Sequence, residues 1–261
     1  MDRGLRVTAR GWWTAARHRI AKRALERQLD YQKRVARGHL QPAPDAVDRK
    51  AEAADELLMY VTLPAHPRML EVGTAGKGLL FHLPPAGLRV GVDPLAVAYR
   101  FIFPPRAQRV RGCAAIGEEL PFSDGAFDLV VCDNVIDHAE RPGRILRELV
   151  RVLRPEGTLY FTVNVHHPIY FYAALAHRLW NALGIRFEIG PFADHTVHFT
   201  IGQVRRMVSA LPLTRHVERD EIAAARRRAR ASAPRHLGDR LKRFFFKNAR
   251  YVLIAGRRDQ C

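Results

Sequence analysis

A chain of 261 residues, 48% hydrophobic and 26% charged, can bury one sizeable α/β core with appendages and is too apolar to stay disordered. Its formal net charge of +17 at pH 7, from 43 Lys and Arg against 26 Asp and Glu, selects polyanionic company: nucleic acid, an anionic membrane surface or phosphorylated molecules. Cys113, Cys132 and Cys261 are too scattered for a disulfide framework or a zinc site, no apolar run approaches the roughly 20 residues of a membrane span, and no cleavage-site pattern follows the basic amino terminus.

Residues 1–63 read as a basic helical extension. Trp12, Trp13, Ala16, Ile20 and Ala24 fall near helical spacing among Arg17, Arg19, Lys22, Arg23 and Arg27, a basic amphipathic pattern suited to a membrane interface or to packing on the main domain. After breaks at Gly38, Pro42 and Pro44, Asp45 can cap a second helix through Ala51, Ala54, Leu57, Leu58 and Tyr60, which Leu63-Pro64 and Pro67 end.

The main domain is expected over 64–261, and its centre is MLEVGTAGKGLL, Met69 to Leu80. A short apolar run ends at Glu71 and Val72, small residues follow, and apolar periodicity resumes at Leu79, Leu80 and Phe81. That order predicts a buried parallel strand, a tight glycine turn and a helix. The next strand, Arg89-Val90-Gly91-Val92, ends in Asp93-Pro94, about 20 residues beyond Gly73, where a carboxylate can take both ribose hydroxyls of a nucleoside. The dinucleotide fingerprint fails because Phe81 stands where its last glycine belongs. The P-loop fails because Gly78 follows Lys77 where Ser or Thr is required. A nucleoside-binding turn that cradles no phosphate remains.

Farther on, Gln108 to Arg111 is a candidate third strand, and Ser123-Asp124-Gly125 is a turn before a strand from Phe127 to Cys132. Asp133 and Asn134 stand at that strand's carboxyl end. Ile145, Leu146, Leu149, Val150 and Leu153 mark a helix, stopped by Pro155 and Gly157 before a strand from Thr158 to Val163. Strand and helix in alternation mean a doubly wound, mostly parallel sheet. Leu213 to Arg219 and Tyr251 to Gly256 are the last two strands.

Four segments in order carry a resemblance: LEVGTAGKG, GVDP, EELPFSDGAFDLVVCDNVIDH and RILRELVRVLRPEGTLYFTV. Together, over roughly residues 68 to 165, they resemble a class I S-adenosylmethionine-dependent methyltransferase of the ubiquinone/menaquinone methyltransferase-like kind. The resemblance implies a Rossmann-like, seven-stranded, mostly parallel sheet whose last two strands run antiparallel. It also implies S-adenosyl-L-methionine as cofactor and a role for each matched residue. Glu71, Gly73, Thr74, Ala75 and Gly76 would surround the methionine portion, Asp93 would hold the ribose, and Pro94, Leu95, Ile116 and Gly117 would border the adenine. Asp133 and Asn134, with His138 nearby, would line the place where cofactor and acceptor meet. Two departures stand out: Ala75 replaces a glycine of the usual turn, and Ile116 an acid that often reads the adenine amino group.

A sulfonium methyl is already activated, so transfer depends mainly on positioning, but an oxygen acceptor still needs a base. His138, His167 and His195 are the candidates. His166-His167-Pro168 follows the fifth strand, and His195 precedes a helix that Thr200 and Gln203 can cap as a box. His195 and His198 lack a marked third ligand, so no metal is expected. An insert over about 166–199, with Tyr170, Phe171, Tyr172, Leu175, Leu179, Trp180 and Phe187, should cover the acceptor pocket. A second, basic insert over about 220–250 runs from Arg226 to Arg243 and on through Phe244-Phe245-Phe246-Lys247. Together with the resemblance, these features lead to the expectation of a cytoplasmic methyltransferase of a small, lipid-linked or glycan-type acceptor, at oxygen, in peripheral contact with the inner face of an anionic membrane. The alternatives are an RNA methyltransferase and a non-catalytic scaffold on the same fold, since fold alone does not prove activity.

Overall fold

The computed structural model describes residues 22, 25–39, 45–74, 78–104, 109–170, 172, 176, 179, 183, 197–231, 233, 240 and 244–258. Trp12, Trp13, Ala75, Gly76 and His195, with most of the expected 166–199 cover, lie outside the described residues. A helix over 25–36, α1, is followed by α2 (Asp45–Tyr60). Then come β1 (Arg68–Val72), β2 (Leu88–Val92), α3 (Ala96–Ile102), β3 (Arg111–Cys113), β4 (Phe127–Asp133), α4 (Pro142–Val152) and β5 (Leu153–Val165). The rest is α5 (Ile201–Ser209), β6 (Leu213–Asp220), α6 (Ile222–Ala231) and β7 (Ala249–Arg257).

The seven strands form one sheet in the order β3-β2-β1-β4-β5-β7-β6. The pairs from β3 to β5 are parallel, while β7 runs antiparallel to both β5 and β6. This is the doubly wound arrangement that the strand and helix order implied. The inner strands are buried on both faces, which is why they read as continuous apolar runs. Leu70, Val72, Val130 and Phe161 join one core cluster, and Met69, Leu129, Val131 and Tyr160 the other. Ile145, Leu146, Leu149 and Val150 of α4 fill the first. Each such burial stabilises by roughly 1.5–3 kcal/mol. Thr200 and Gln203 make the capping box that starts α5.

Two elements depart from the sequence reading. The helix expected after β1 is reduced to a 3₁₀ turn, Leu79–Phe81. Pro84 and Pro85 stop it, since proline cannot donate within a helix, and Arg89 of β2 donates to the carbonyls of Leu80, Leu83 and Pro84 instead. The third strand begins where the expected one ended, because Val92 of β2 pairs with Cys113 and the Asp93 N–H donates to the Cys113 carbonyl. Helix α2, placed by the sequence in the extension, buries Ala53, Ala54 and Leu57 against Met69, Leu79 and Leu80. Among the described residues, no helix is long and apolar enough to cross a membrane.

Candidate functional site

The carboxyl ends of the parallel strands β1, β2, β4 and β5 lie along one edge of the sheet, the place where open α/β sheets form a ligand crevice, and β1 is central to it. Gly73 follows the strand at φ 76°, the left-handed region that glycine enters without cost, and its N–H donates to the Val92 carbonyl, 2.7 Å. A Cβ at Gly73 would meet Val135 Cγ2 at 2.3 Å, so the turn is closed to larger residues on two grounds. Glu71, buried one residue before the strand end, accepts from the N–H groups of Leu79 (2.8 Å) and Leu80 (3.0 Å). Its carboxylate therefore does what a helix start would ask of a capping group. Gly78 leaves it room: a Cβ there would fall 2.2 Å from Glu71 Oε2. Burial pushes the Glu71 pKa up to about 7, against the opposing pull of Lys50 and the two N–H donors.

Beside Glu71 lies a polar column on the same face of the sheet. Asp133, at the end of β4, sits opposite Thr162 of β5 in register, and the Thr162 hydroxyl donates to Asp133 Oδ1 at 2.5 Å. Lys50 Nζ reaches down from α2 to Asp133 Oδ2, 2.9 Å away. Arg250, at the start of β7, lies 3.6 Å from Asp133 Oδ1 and donates to the Tyr160 hydroxyl at 2.5 Å. Burial alone would raise the Asp133 pKa, but Lys50, Arg250 and the Thr162 hydroxyl overcome it and hold the group below the usual range. Burial alone would lower the Lys50 pKa, and the charges of Asp133 and Glu71 reverse that too. The crevice thus offers two carboxylates and two cations side by side, a set matched to an amino-acid zwitterion.

Asp93 follows the last residue of β2. It is buried, with one oxygen, Oδ1, accepting from the Leu95 N–H at 2.8 Å and its carbonyl accepting from Ala96. Pro94 is exposed and Leu95 half-buried beside it. Ile116 is exposed and Gly117 buried. Gly117 packs so closely that a Cβ would lie 3.0 Å from Val72 Cγ1. Thr74 is buried, its hydroxyl donating to the Glu71 carbonyl at 3.3 Å.

After β4, Asn134 adopts φ 58° and its side-chain oxygen accepts from the Asn164 N–H, tying β4 to β5. His138 is exposed on the 3₁₀ turn Ile136–His138, 3.8 Å from Asp137. His167 follows β5, half-buried, its ring 4.9 Å from that of Phe245. Its Nδ1 accepts from the Ile169 N–H at 3.3 Å, which assigns the proton of the neutral imidazole to Nε2. His166 and His198 are both buried with ring centroids 4.9 Å apart, and His166 Nδ1 accepts from the Asn248 N–H. His166 therefore belongs to the packing, one residue before half-buried His167.

Sequence reasoning missed Lys50 and Arg250. The signal was present: Lys50 precedes Ala53, Ala54 and Leu57 by three, four and seven residues, so it lies on the buried face of α2. Arg250 likewise shares the sheet face of Val252 and Ile254. A cation in register with core positions requires an anion inside, and Asp133 is that anion.

Residues 70–161 match the family described as "Methyltransferase domain". A thiol S-methyltransferase of Homo sapiens is 35% identical over 146 residues, covering 52% of this chain; the chain spans 59% of that relative's own length. Among solved structures, a putative sarcosine dimethylglycine methyltransferase from Galdieria sulphuraria superposes with a TM-score of 0.61 at 14% identity, over 89% of this chain and 99% of that one. Geranyl diphosphate C-methyltransferase from Streptomyces coelicolor, solved with Mg2+, geranyl diphosphate and S-adenosyl-L-homocysteine, gives a TM-score of 0.58 at 16% identity, over 81% of this chain and 79% of that one. These likenesses at low identity concern the fold. The family match is confined to residues 70–161, the stretch that runs from β1 into β5 and carries the motif order.

Proposed function

We propose that the chain transfers a methyl group from S-adenosylmethionine to a small, apolar acceptor nucleophile, a thiol in the first place. The observation that carries the proposal is the pairing of Asp93, at the end of β2, with the Gly73 turn at the end of β1, beside the Glu71–Lys50–Asp133 column. Asp93 has the chemistry to take ribose hydroxyls, and the column has opposite charges for the ammonium and carboxylate of a methionine moiety. Bound there, the cofactor supplies a sulfonium methyl that needs no further activation. Glu71, Gly73, Thr74, Asp133 and Asn134 would hold and orient, with Pro94, Leu95, Ile116 and Gly117 around the base.

A thiol suits this crevice because its ordinary pKa near 8.5 leaves a nucleophilic fraction at neutral pH without a strong base. The 35% identity to a thiol S-methyltransferase supports the same reading. The second reading is O-methylation of a lipid-linked or glycan-type hydroxyl, favoured by the position of His167 directly after β5, with His138 and His195 as further candidates. It requires His167 to release the Ile169 N–H, since Nδ1 is the basic lone pair of the neutral ring. A cytoplasmic protein in peripheral contact with an anionic membrane belongs to the same proposal.

Calorimetric titration with S-adenosylmethionine tests the cofactor assignment. Wild type should bind with micromolar affinity, and Asp93→Ala should weaken binding roughly ten- to a hundredfold, the worth of lost hydrogen bonds to a charged group. Equal binding by both proteins would remove Asp93 from the site, and no binding by wild type would leave the scaffold reading.

A further inference from the structure

The exposed residues of the helical segment after His167 form a pattern that methyl transfer does not use. Ile169, Tyr172, Ala176, Leu179 and Leu183 are spaced by three, four, three and four residues, and all five are exposed. The relative exposures of Tyr172 (69%), Leu183 (57%), Leu179 (48%) and Ile169 (43%) are high for such large apolar groups. Helical spacing puts them on one stripe. A stripe facing water gains nothing from its apolarity, so it calls for an apolar medium.

The stripe borders a basic surface. The Tyr170 hydroxyl donates to the Phe245 carbonyl at 3.3 Å, and the His167 N–H donates to the Phe246 carbonyl. Phe246 in turn lies under Arg226 of α6, 5.5 Å from guanidinium to ring centroid. Arg226, Arg227, Arg228 and Arg230 are all exposed along α6, and Phe244 is 73% exposed at the near edge. Aliphatic and aromatic groups flanked by arginines are complementary to a bilayer surface: the apolar side chains enter below the headgroups and the guanidiniums meet the phosphates. Nucleic acid would use the arginines and stack on Phe244, but it offers nothing to Ile169, Leu179 and Leu183.

We propose that the Ile169–Leu183 stripe, Phe244 and the arginines of α6 form a docking face for anionic lipid. Docking on this face would turn the His167 end of the crevice toward the bilayer, so that an apolar acceptor enters from the lipid phase. That last step rests on the acceptor reading above; lipid binding itself does not, and it is measured without cofactor.

The experiment is co-flotation of the full chain with vesicles of phosphatidylcholine alone or with about a third phosphatidylserine, at 0.1 M salt. Wild type should bind the anionic vesicles at least about tenfold more tightly, in line with the roughly fivefold that each surface-bound arginine contributes. Arg227→Glu/Arg228→Glu should lose that preference, and Leu183→Ser/Phe244→Ser should lose binding at least about fivefold, with S-adenosylmethionine titrations unchanged in both. Absence of vesicle binding by wild type would overturn the proposal. So would a stable dimer that Leu183→Ser dissociates, which would assign the stripe to a second copy. Tight RNA binding that is lost in the arginine variant, with vesicle binding unaffected by either variant, would overturn it in favour of nucleic acid. Cofactor titration fails or succeeds independently, so the two readings cannot be confused.

Discussion

Glu71 carries opposing demands: burial favours its neutral acid, while the Leu79 and Leu80 N–H donors and Lys50 favour its carboxylate. Burial prevails, and the pKa stands at about 7 against an ordinary 4.5. Between those values the folded state holds more protons than the unfolded one. The stability this group contributes is therefore full below about pH 4.5 and is lost as pH rises through about 7. Glu71→Gln should flatten that decline, removing about 3 kcal/mol at most from the difference between pH 5 and pH 8. Urea unfolding at the two values reads it, and an unchanged slope in the variant would assign the decline to other groups. Lys50 poses a second question at the same scale. Lys50→Met leaves Asp133 with Thr162 and the more distant Arg250, and should cost about 1–3 kcal/mol in the same assay. Adding Asp133→Asn should recover most of that loss, because the remaining site then buries no unanswered charge. Purely additive losses would mean that Lys50 and Asp133 do not act as a pair.

At the scale of elements, what the sequence revealed and what it hid follow from how each element is stabilised. Strands β1, β2 and β4 are buried on both faces, and their apolar runs stand out in the sequence. The helix after β1 was misread because the periodicity of Leu79, Leu80 and Phe81 is local, whereas its arrest depends on Pro84-Pro85 and on Arg89 arriving from another strand. The positions of Asp93, Asp133 and Glu71 at or beside the carboxyl ends of parallel strands were legible, because those ends follow directly from the apolar runs of β1, β2 and β4. Lys50 was not, because its role needs α2 to dock on the sheet. That docking depends on Ala53, Ala54 and Leu57, and on a bidentate contact from Arg219 of β6 to Glu56. A contact spanning 163 residues of sequence leaves no local mark. Helix α2 thus acts as the lever that sets Lys50 over Asp133.

At the scale of the whole molecule, the net charge of +17 acts twice, with opposite signs. Within the folded protein the excess of arginine repels itself, which destabilises the compact state relative to an unfolded chain whose charges lie farther apart. Ionic strength screens that repulsion, with a Debye length that falls from about 30 Å at 0.01 M to about 10 Å at 0.1 M. The described ion pairs at the surface, such as Arg151–Asp124 and Arg215–Glu218, weaken with salt as well, but exposed pairs contribute only about 0–1 kcal/mol each. Repulsion therefore dominates, and the melting temperature should rise by about 2–6 °C between 0.01 and 0.3 M sodium chloride, as expected for one to two kcal/mol in a domain of this size. Attachment to anionic vesicles rests on attraction, so the same added salt should weaken it. Thermal scans and flotation along one salt series check both signs together. A melting temperature that falls with salt would mean that local pairing outweighs the global charge. Vesicle binding indifferent to salt would mean that the apolar stripe holds the protein on lipid without help from α6.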